Sequence, residues 1–467
     1  MQKTICFYIV VLTLFLGICS PFLFSYGMFL DGTTYATIAR NMAIGKGSFW
    51  MPYYTETLYS TFYEHPPLAL WLESLFFRIF GTSIFVERFY SVLSIMLVGF
   101  LIVKIWKEIT GEIITAWFPL LLFVLFPIIT WTATNNMLEN TMSVFICTSV
   151  LFYLKSIRKQ TSCWTVIGGL SLFLGTLSKG IVAFFPWTLP FLLWLFLRKI
   201  SFKQVIRDTI ILIVFTVFPI ILLYISSENA KLFFDSYLSN QLFSSVTGMR
   251  ETIESRFFIL QKLLENSINS LVLTTGLIIV QIKKKKTDLI KKEIKKSLVF
   301  LTLSLCGVLP IMLSLKQSEY YIIPAYPFLA IAFALPFQAI IKEWHNKIDI
   351  SSRSFIVFKI VSCLALVSVT LFSISQKGKI SREEKTLKLV FECNKYIPSN
   401  SVISIDKETY REWGLHANFA RYKNISLDDN EKHLYYLHNK HLPILDLDEE
   451  YVHLTDVDSY SLLRYDK

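Results

Sequence analysis

The chain has 467 residues, of which 53% are hydrophobic, 15% aromatic and 17% charged. A soluble domain carries about a quarter charged residues, and here the apolar material falls in blocks of roughly 17 to 25 residues, enough to cross a hydrocarbon core. A soluble globular fold is excluded, and spans of this composition must be helical because lipid offers the backbone no hydrogen-bond partners. The formal charge of +11 does not point to nucleic acid, because Lys and Arg gather in alternate loops, as the positive-inside rule expects. Seven cysteines are scattered with neither metal spacing nor a disulfide framework.

In chain order, the first apolar block, from Ile5 to Phe24, follows Lys3. It reads as an uncleaved first helix, because it is long for a signal peptide and further spans follow. Spans are expected near 5–27, 83–103, 113–131, 134–154, 164–177, 181–197, 208–226, 260–282, 297–313, 322–341 and 354–374. One set of loops holds Lys104, Lys107, Lys155, Arg158, Lys159, Arg198, Lys199, Lys203 and Arg207, then the run from Lys283 to Lys296, then Lys342, Lys347 and Arg353. These loops are expected to be cytoplasmic, with a cytoplasmic N-terminus and an extracytoplasmic C-terminal tail in the inner or plasma membrane. The lysine run reads first as a topology anchor, with anionic lipid as the alternative.

Two outer loops are longer than a connection needs. In the first, from Met28 to Thr82, a short helix is expected over Thr33 to Ala43 with Asp31 or Thr33 as its cap. Pro66-Pro67 opens a second helix through Ile79, whose face of Leu68, Trp71, Leu72, Leu75, Phe76 and Ile79 suits the membrane interface. The second long loop runs from Ser227 to about Ile259. Residues 376–467 are of mixed polarity, with a helix expected over Ser381 to Tyr396 and strands at Val402–Ile405 and Pro443–Leu447. The expected fold class is therefore an α-helical polytopic membrane bundle, residues 1–375, followed by a small extracytoplasmic α/β domain, residues 376–467.

Polar groups at the outer ends of apolar spans are the informative ones. Asp31, after the first span, is either a general base for an acceptor hydroxyl or a helix cap. Glu64 and His65 stand before the two prolines at a helix N-terminus, which favours phosphate; Glu64 can bind a metal and His65 can contact phosphate. Asn136, Glu139 and Asn140 form a polar patch between the third and fourth spans, where an ionised Glu139 needs partners. Lys179 is a lone lysine in an apolar stretch, suited to an anionic headgroup or to snorkelling. Gln241 and Arg250 lie in the second long loop, and Lys316, Tyr320 and Tyr321 at the outer mouth of the tenth span. All fall on the same expected side. No Gly-rich nucleotide loop appears, so an activated substrate already outside, carried on lipid, is the simplest donor.

These residues resemble motifs of the GT-C membrane glycosyltransferases, in the branch of protein O-mannosyltransferases and lipid A aminoarabinose transferases. The carriers are Asp31 with Tyr35 and Asn41-Met42, Glu64-His65-Pro66-Pro67-Leu68 with Trp71-Leu72, Phe80-Gly81 with Glu87-Arg88, Leu177-Ser178-Lys179-Gly180, and Tyr320 to Pro327. The resemblance covers roughly residues 1–341 and implies transfer of a sugar from a polyprenyl phosphate to an acceptor outside the cytoplasm. That acceptor is protein, lipopolysaccharide or another surface glycan.

By the same resemblance Asp31 is the base, Glu64 organises the site, and Lys179, Arg250, Tyr320, Tyr321 and His65 serve the donor phosphate, with Tyr35, Glu139, Asn136, Gln241 and Lys316 in support. The resemblance admits a divalent metal at Glu64, as in some members, and implies no other cofactor. The chain departs from the pattern at His65, where members carry lysine, at Asn136, where aspartate is common, and around Gln241, where some carry histidine. A lipid or glycan transporter, a flippase and an inactive scaffold of this type are the alternatives. The one-sided polar groups favour the enzyme over paired repeats with polar residues deep in the spans.

Overall fold

A computed structural model describes residues 2–244, 255–284, 287–443 and 451–466. It divides into two compact units: one of residues 1–20, 64–69 and 91–374, the other of residues 21–63, 70–90 and 375–467.

The helices in the first part of the chain are α1 (Gln2–Leu23), α2 (Leu30–Ala43), α3 (Leu68–Phe80), α4 (Val86–Thr110), α5 (Trp117–Val124), α6 (Pro127–Thr134), α7 (Leu138–Lys159) and α8 (Cys163–Lys179). They continue with α9 (Leu189–Leu197), α10 (Phe202–Ser226), α11 (Glu228–Tyr237), α12 (Phe258–Lys283), α13 (Thr287–Val308), α14 (Tyr326–Ala334), α15 (Gln338–Lys347) and α16 (Arg353–Ser375). Among the described residues eight helical stretches are long and apolar enough to cross a membrane, or nine if the α5–α6 pair, bent by 75°, is one span. The expected spans at 164–177 and 181–197 correspond to the shorter apolar helices Cys163–Lys179 and Ile181–Leu197. The stretch Ile181–Leu197 is a short apolar helix that begins as a 3-10 turn with Pro186 inside it and has Pro190 at the start of α9. Proline there removes ladder hydrogen bonds and shortens the regular helix. The exterior of this unit is apolar, as lipid contact requires: Phe218, Ile225, Val272, Leu364 and Leu371 are all more than half exposed.

The pairing that matters most is α7 with α8. Gln160 adopts left-handed φ 52 at the end of α7, and the chain reverses within three residues into α8. The first turn of α7 and the last turn of α8 therefore lie at the same end of the hairpin. Gly168 and Gly169 of α8 allow close approach to neighbours: a Cβ at Gly168 would meet the Ser149 carbonyl of α7 at 3.3 Å.

In the second unit α2 begins at Leu30, earlier than expected. Asp31 sits inside its first turn and Phe29 is the cap residue, without a side-chain capping bond. The cap role expected for Asp31 or Thr33 is thus corrected: the Thr33 amide and hydroxyl both turn back to the Phe29 carbonyl, at 3.0 and 3.2 Å. The polar segment adds α17 (Glu384–Cys393) and α18 (Trp413–Lys423) to strands β1 (Val402–Ile405), β2 (Ser426–Asp428), β3 (Tyr435–Asn439), β4 (Tyr451–Val457) and β5 (Tyr460–Tyr465).

The sheet order is β2-β1-β3-β5-β4. β1 runs parallel to β2 and β3, and β5 antiparallel to β3 and β4. Ile403, Ile405, Leu427, Leu437 and Leu462 from the sheet close a core with Leu389, Val390, Leu415 and Phe419 from the helices. The strand expected at Val402–Ile405 is present. Of the one expected at Pro443–Leu447, Pro443 has no regular structure and the remainder lies outside the described residues.

Arginines tie this unit together. Arg40 of α2 donates to the carbonyls of Ala420 (3.1 Å) and Arg421 (2.9 Å) at the end of α18 and to the Asn424 side chain (2.8 Å). Burial, with the Arg421 charge beside it, pushes the Arg40 pKa down to about 9, so it stays charged at neutral pH. Arg421 pairs with both Glu87 carboxylate oxygens, at 3.1 and 2.9 Å, and all four ionic or capping groups, Arg40, Glu87, Arg88 and Arg421, are buried. Arg88 donates to the carbonyls of Ser25 and Gly27.

Candidate donor-phosphate site

The site builds from the α7–α8 hairpin of the first unit. Asn136 takes left-handed φ 51, a conformation asparagine tolerates, and Met137 is the extended cap that starts α7. Asn140 in the first turn donates to Ser91 Oγ and to the Thr132 carbonyl, both at 3.0 Å. Those bonds fix the end of α7 that carries Glu139. At the same end of the hairpin Lys179 is in the last turn of α8. A carboxylate in a first turn and an ammonium in a last turn each complement the dipole of their own helix.

Lys179 Nζ lies 3.2 Å from Glu139 Oε1, with 7% and 0% side-chain exposure. It also lies 3.5 Å from His65 Nε2. An ammonium has only donors, so that imidazole nitrogen faces it as acceptor. The rings of Tyr320 and Tyr321, from the 3-10 turn Glu319–Ala325, stand 6.0 and 5.8 Å from the same nitrogen, at the outer limit of cation–π range. Tyr320 is stacked in turn on Trp131 of α6, 6.1 Å apart and 14° from parallel.

α8 stops at Gly180, whose φ of 111 and ψ of −156 lie in a region open essentially to glycine. A Cβ there would collide with the Tyr237 hydroxyl. The Lys-Gly dipeptide thus sets both the charge and the turn that ends the helix beneath it.

Glu139, Lys179, His65, Tyr320 and Tyr321 are therefore brought together. Glu64 is half-buried one residue before His65 in the bend that precedes Pro66-Pro67. Lys316 is half-buried in the loop before Tyr320, its amide held by Ser314 Oγ at 3.1 Å. Gln241 lies half-buried in the turn Leu238–Phe243 that follows α11. Arg250 lies outside the described residues. Asp31, half-buried, and Tyr35, buried, belong to the second unit.

Trp131 was not singled out by the sequence, where a tryptophan near a span end reads as an interfacial anchor. Among the described residues the group of three candidate ligands within 4.8 Å of one another is Asp428, Glu431 and His433, where His433 Nε2 lies 2.7 Å from Asp428 Oδ2.

The chain is similar to the solved ArnT from Cupriavidus metallidurans bound to undecaprenyl phosphate, with a TM-score of 0.65 at 14% identity over 97% of each chain. It has the GT-C fold. The archaeal oligosaccharyltransferase AglB from Archaeoglobus fulgidus, in complex with an inhibitory peptide and a dolichol-phosphate, is also similar, with a TM-score of 0.52 at 11% identity over 94% of this chain and 70% of that one. A family model described as dolichyl-phosphate-mannose-protein mannosyltransferase matches residues 64–224, which contain His65, Glu139 and Lys179.

Among curated proteins, an undecaprenyl phosphate-alpha-4-amino-4-deoxy-L-arabinose arabinosyl transferase of Wigglesworthia glossinidia brevipalpis is 28% identical over 180 residues. One of Proteus mirabilis is 27% identical over the same length. These matches span 31% and 32% of the relatives' lengths and 38% of this chain. The resemblance read from the motifs and the helical membrane fold class are borne out, and the protein is membrane-embedded.

Proposed function

We propose that the protein is a membrane glycosyltransferase that moves a sugar from a polyprenyl phosphate to an acceptor on the extracytoplasmic face. The observation that carries this reading is Lys179, an ammonium buried among Glu139, His65, Tyr320 and Tyr321 in a unit of GT-C fold. Undecaprenyl phosphate and dolichol-phosphate are bound by the two similar solved proteins, and the same class of donor suits a basic group at a span end.

In the proposed reaction the acceptor hydroxyl attacks the anomeric carbon. The bond from that carbon to the phosphate oxygen breaks, the lipid phosphate keeps the electron pair, and Asp31 takes the hydroxyl proton. Lys179 and Arg250 meet the charge that grows on the leaving phosphate, which is where fixed charges accelerate such a step, and His65 contacts the same phosphate. Glu64 organises the bend that presents His65. No step is routed through a metal. The alternation of basic loops supports a cytoplasmic N-terminus, with the site and the C-terminal segment outside and lipopolysaccharide, protein or another surface glycan as acceptor.

Deleting the protein in its native host tests this reading. The expected result is a surface glycan lighter by one sugar, together with accumulation of a polyprenyl-phosphate sugar. Unchanged masses in both pools would refute the transferase assignment.

A further inference from the structure

Lys179 does not wait for a phosphate alone: Glu139 already holds it. We infer that Glu139 makes the site discriminate by charge, disfavouring the spent lipid phosphate relative to the sugar-bearing donor and so promoting product release. This rests on the donor assignment proposed above.

The argument begins with the chemistry of the two ligands. The donor is a phosphodiester with one negative charge. When its bond to the anomeric carbon breaks, the oxygen keeps the electron pair and the product becomes a phosphomonoester, with about −1.5 to −2 charge at neutral pH. Both ligands gain from Lys179, the product more because of its extra charge, and a carboxylate beside the ammonium takes part of that extra gain back. Both are also repelled by a carboxylate next to it, and the product more strongly because it carries more charge.

Geometry sets the size of that repulsion. Glu139 Oε1 lies 3.2 Å from Lys179 Nζ, and a charge-assisted hydrogen bond is about 2.8 Å long. A phosphate oxygen bonded to Lys179 therefore lies no more than about 6 Å from Glu139. The carboxylate is fully buried, so water screens it little. At an effective dielectric of about 20, one extra unit of charge at this range changes binding by roughly tenfold to a hundredfold.

Glu139 also cannot swing away easily. Its helix end is pinned by Asn140 to Ser91 and Thr132, and its own carbonyl accepts from Ser143 Oγ at 2.7 Å. A mobile counter-ion would follow Lys179 or leave it as the ligand demanded. A fixed one imposes a standing cost that scales with ligand charge.

The test compares purified full-length wild type with Glu139→Gln and Glu139→Asp, measuring the KM for the lipid-linked donor and the inhibition constant of undecaprenyl phosphate. In Glu139→Gln the ratio of inhibition constant to KM is expected to fall by about tenfold, because the product gains more than the donor. Glu139→Asp, which keeps the charge, is expected to stay near the wild-type ratio. An unchanged ratio in Glu139→Gln, or product binding weakened as much as donor binding, overturns the inference and leaves Glu139 as a mere support for Lys179.

A second measurement compares undecaprenyl phosphate with undecaprenyl methyl phosphate, a monoanionic diester, as inhibitors. The preference for the monoester over the diester is expected to be about tenfold smaller in the wild type than in Glu139→Gln. An equal preference in the two proteins overturns the inference. If the wild type binds neither lipid, the donor assignment itself is wrong, and the charge discrimination goes with it.

Discussion

At the scale of single residues, the sequence pointed to Lys179 because a lone lysine in an apolar stretch is costly and needs a reason. It also pointed to Glu139 for the same reason, forty positions away. What it could not supply was that each is the other's partner, since a hairpin of two helices brings them to one end. Asn136 stood out as a departure from a common aspartate, and the structure places it in the left-handed turn before α7, buried, in a conformation asparagine tolerates. Asp31 carries the base assignment, and Asp31→Asn keeps its size and hydrogen bonding while removing its proton affinity. That variant is expected to lose about 100-fold or more in kcat, with little change in donor KM. Steady-state kinetics on the purified variant checks this, and wild-type turnover removes Asp31 from the base role.

At the scale of elements, hydropathy located most of the helices but not their interruptions. The Ile181–Leu197 stretch reads as one regular helix by composition, yet Gly180, Pro186 and Pro190 break its ladder. The Val402–Ile405 strand was visible as a short β-branched run, whereas β4 and β5 were not, because their exposed faces mix polar and aromatic residues without clean alternation. Glu87 and Arg88 appeared first as part of a family motif. In the second unit they are structural, with Glu87 paired to Arg421 of α18 and Arg88 closing on the Ser25 and Gly27 carbonyls. Removing one partner of a buried ion pair strands the other charge, at a cost of about 3–5 kcal/mol. Glu87→Gln is accordingly expected to lower the melting temperature of the detergent-purified protein and to speed proteolysis within residues 376–467. A variant as stable and as protease-resistant as wild type contradicts this account of the pair.

At the scale of the whole molecule, the charge pattern makes a topological statement that can be measured directly. Cysteine reporters placed in the basic segments, at Lys159 or Lys203, are expected to react with a membrane-impermeant thiol reagent only after the cells are opened. Reporters at Lys377 or Asp429 are expected to react in intact spheroplasts. Labelling of the two sets in the opposite order would invert the proposed orientation and move the acceptor to the cytoplasm.

By itself the sequence determined that this is a helical membrane protein and which polar residues are out of place in it. Those conclusions need only local composition, because burying charge in lipid is expensive wherever it occurs. Tertiary structure decided the pairings. The Lys179–Glu139–His65 cluster, the stack of Trp131 on Tyr320 and the union of outer-loop segments with the C-terminal sheet in one unit all join residues tens to hundreds of positions apart. Such contacts follow from where helices reverse and end, which no local window of sequence contains.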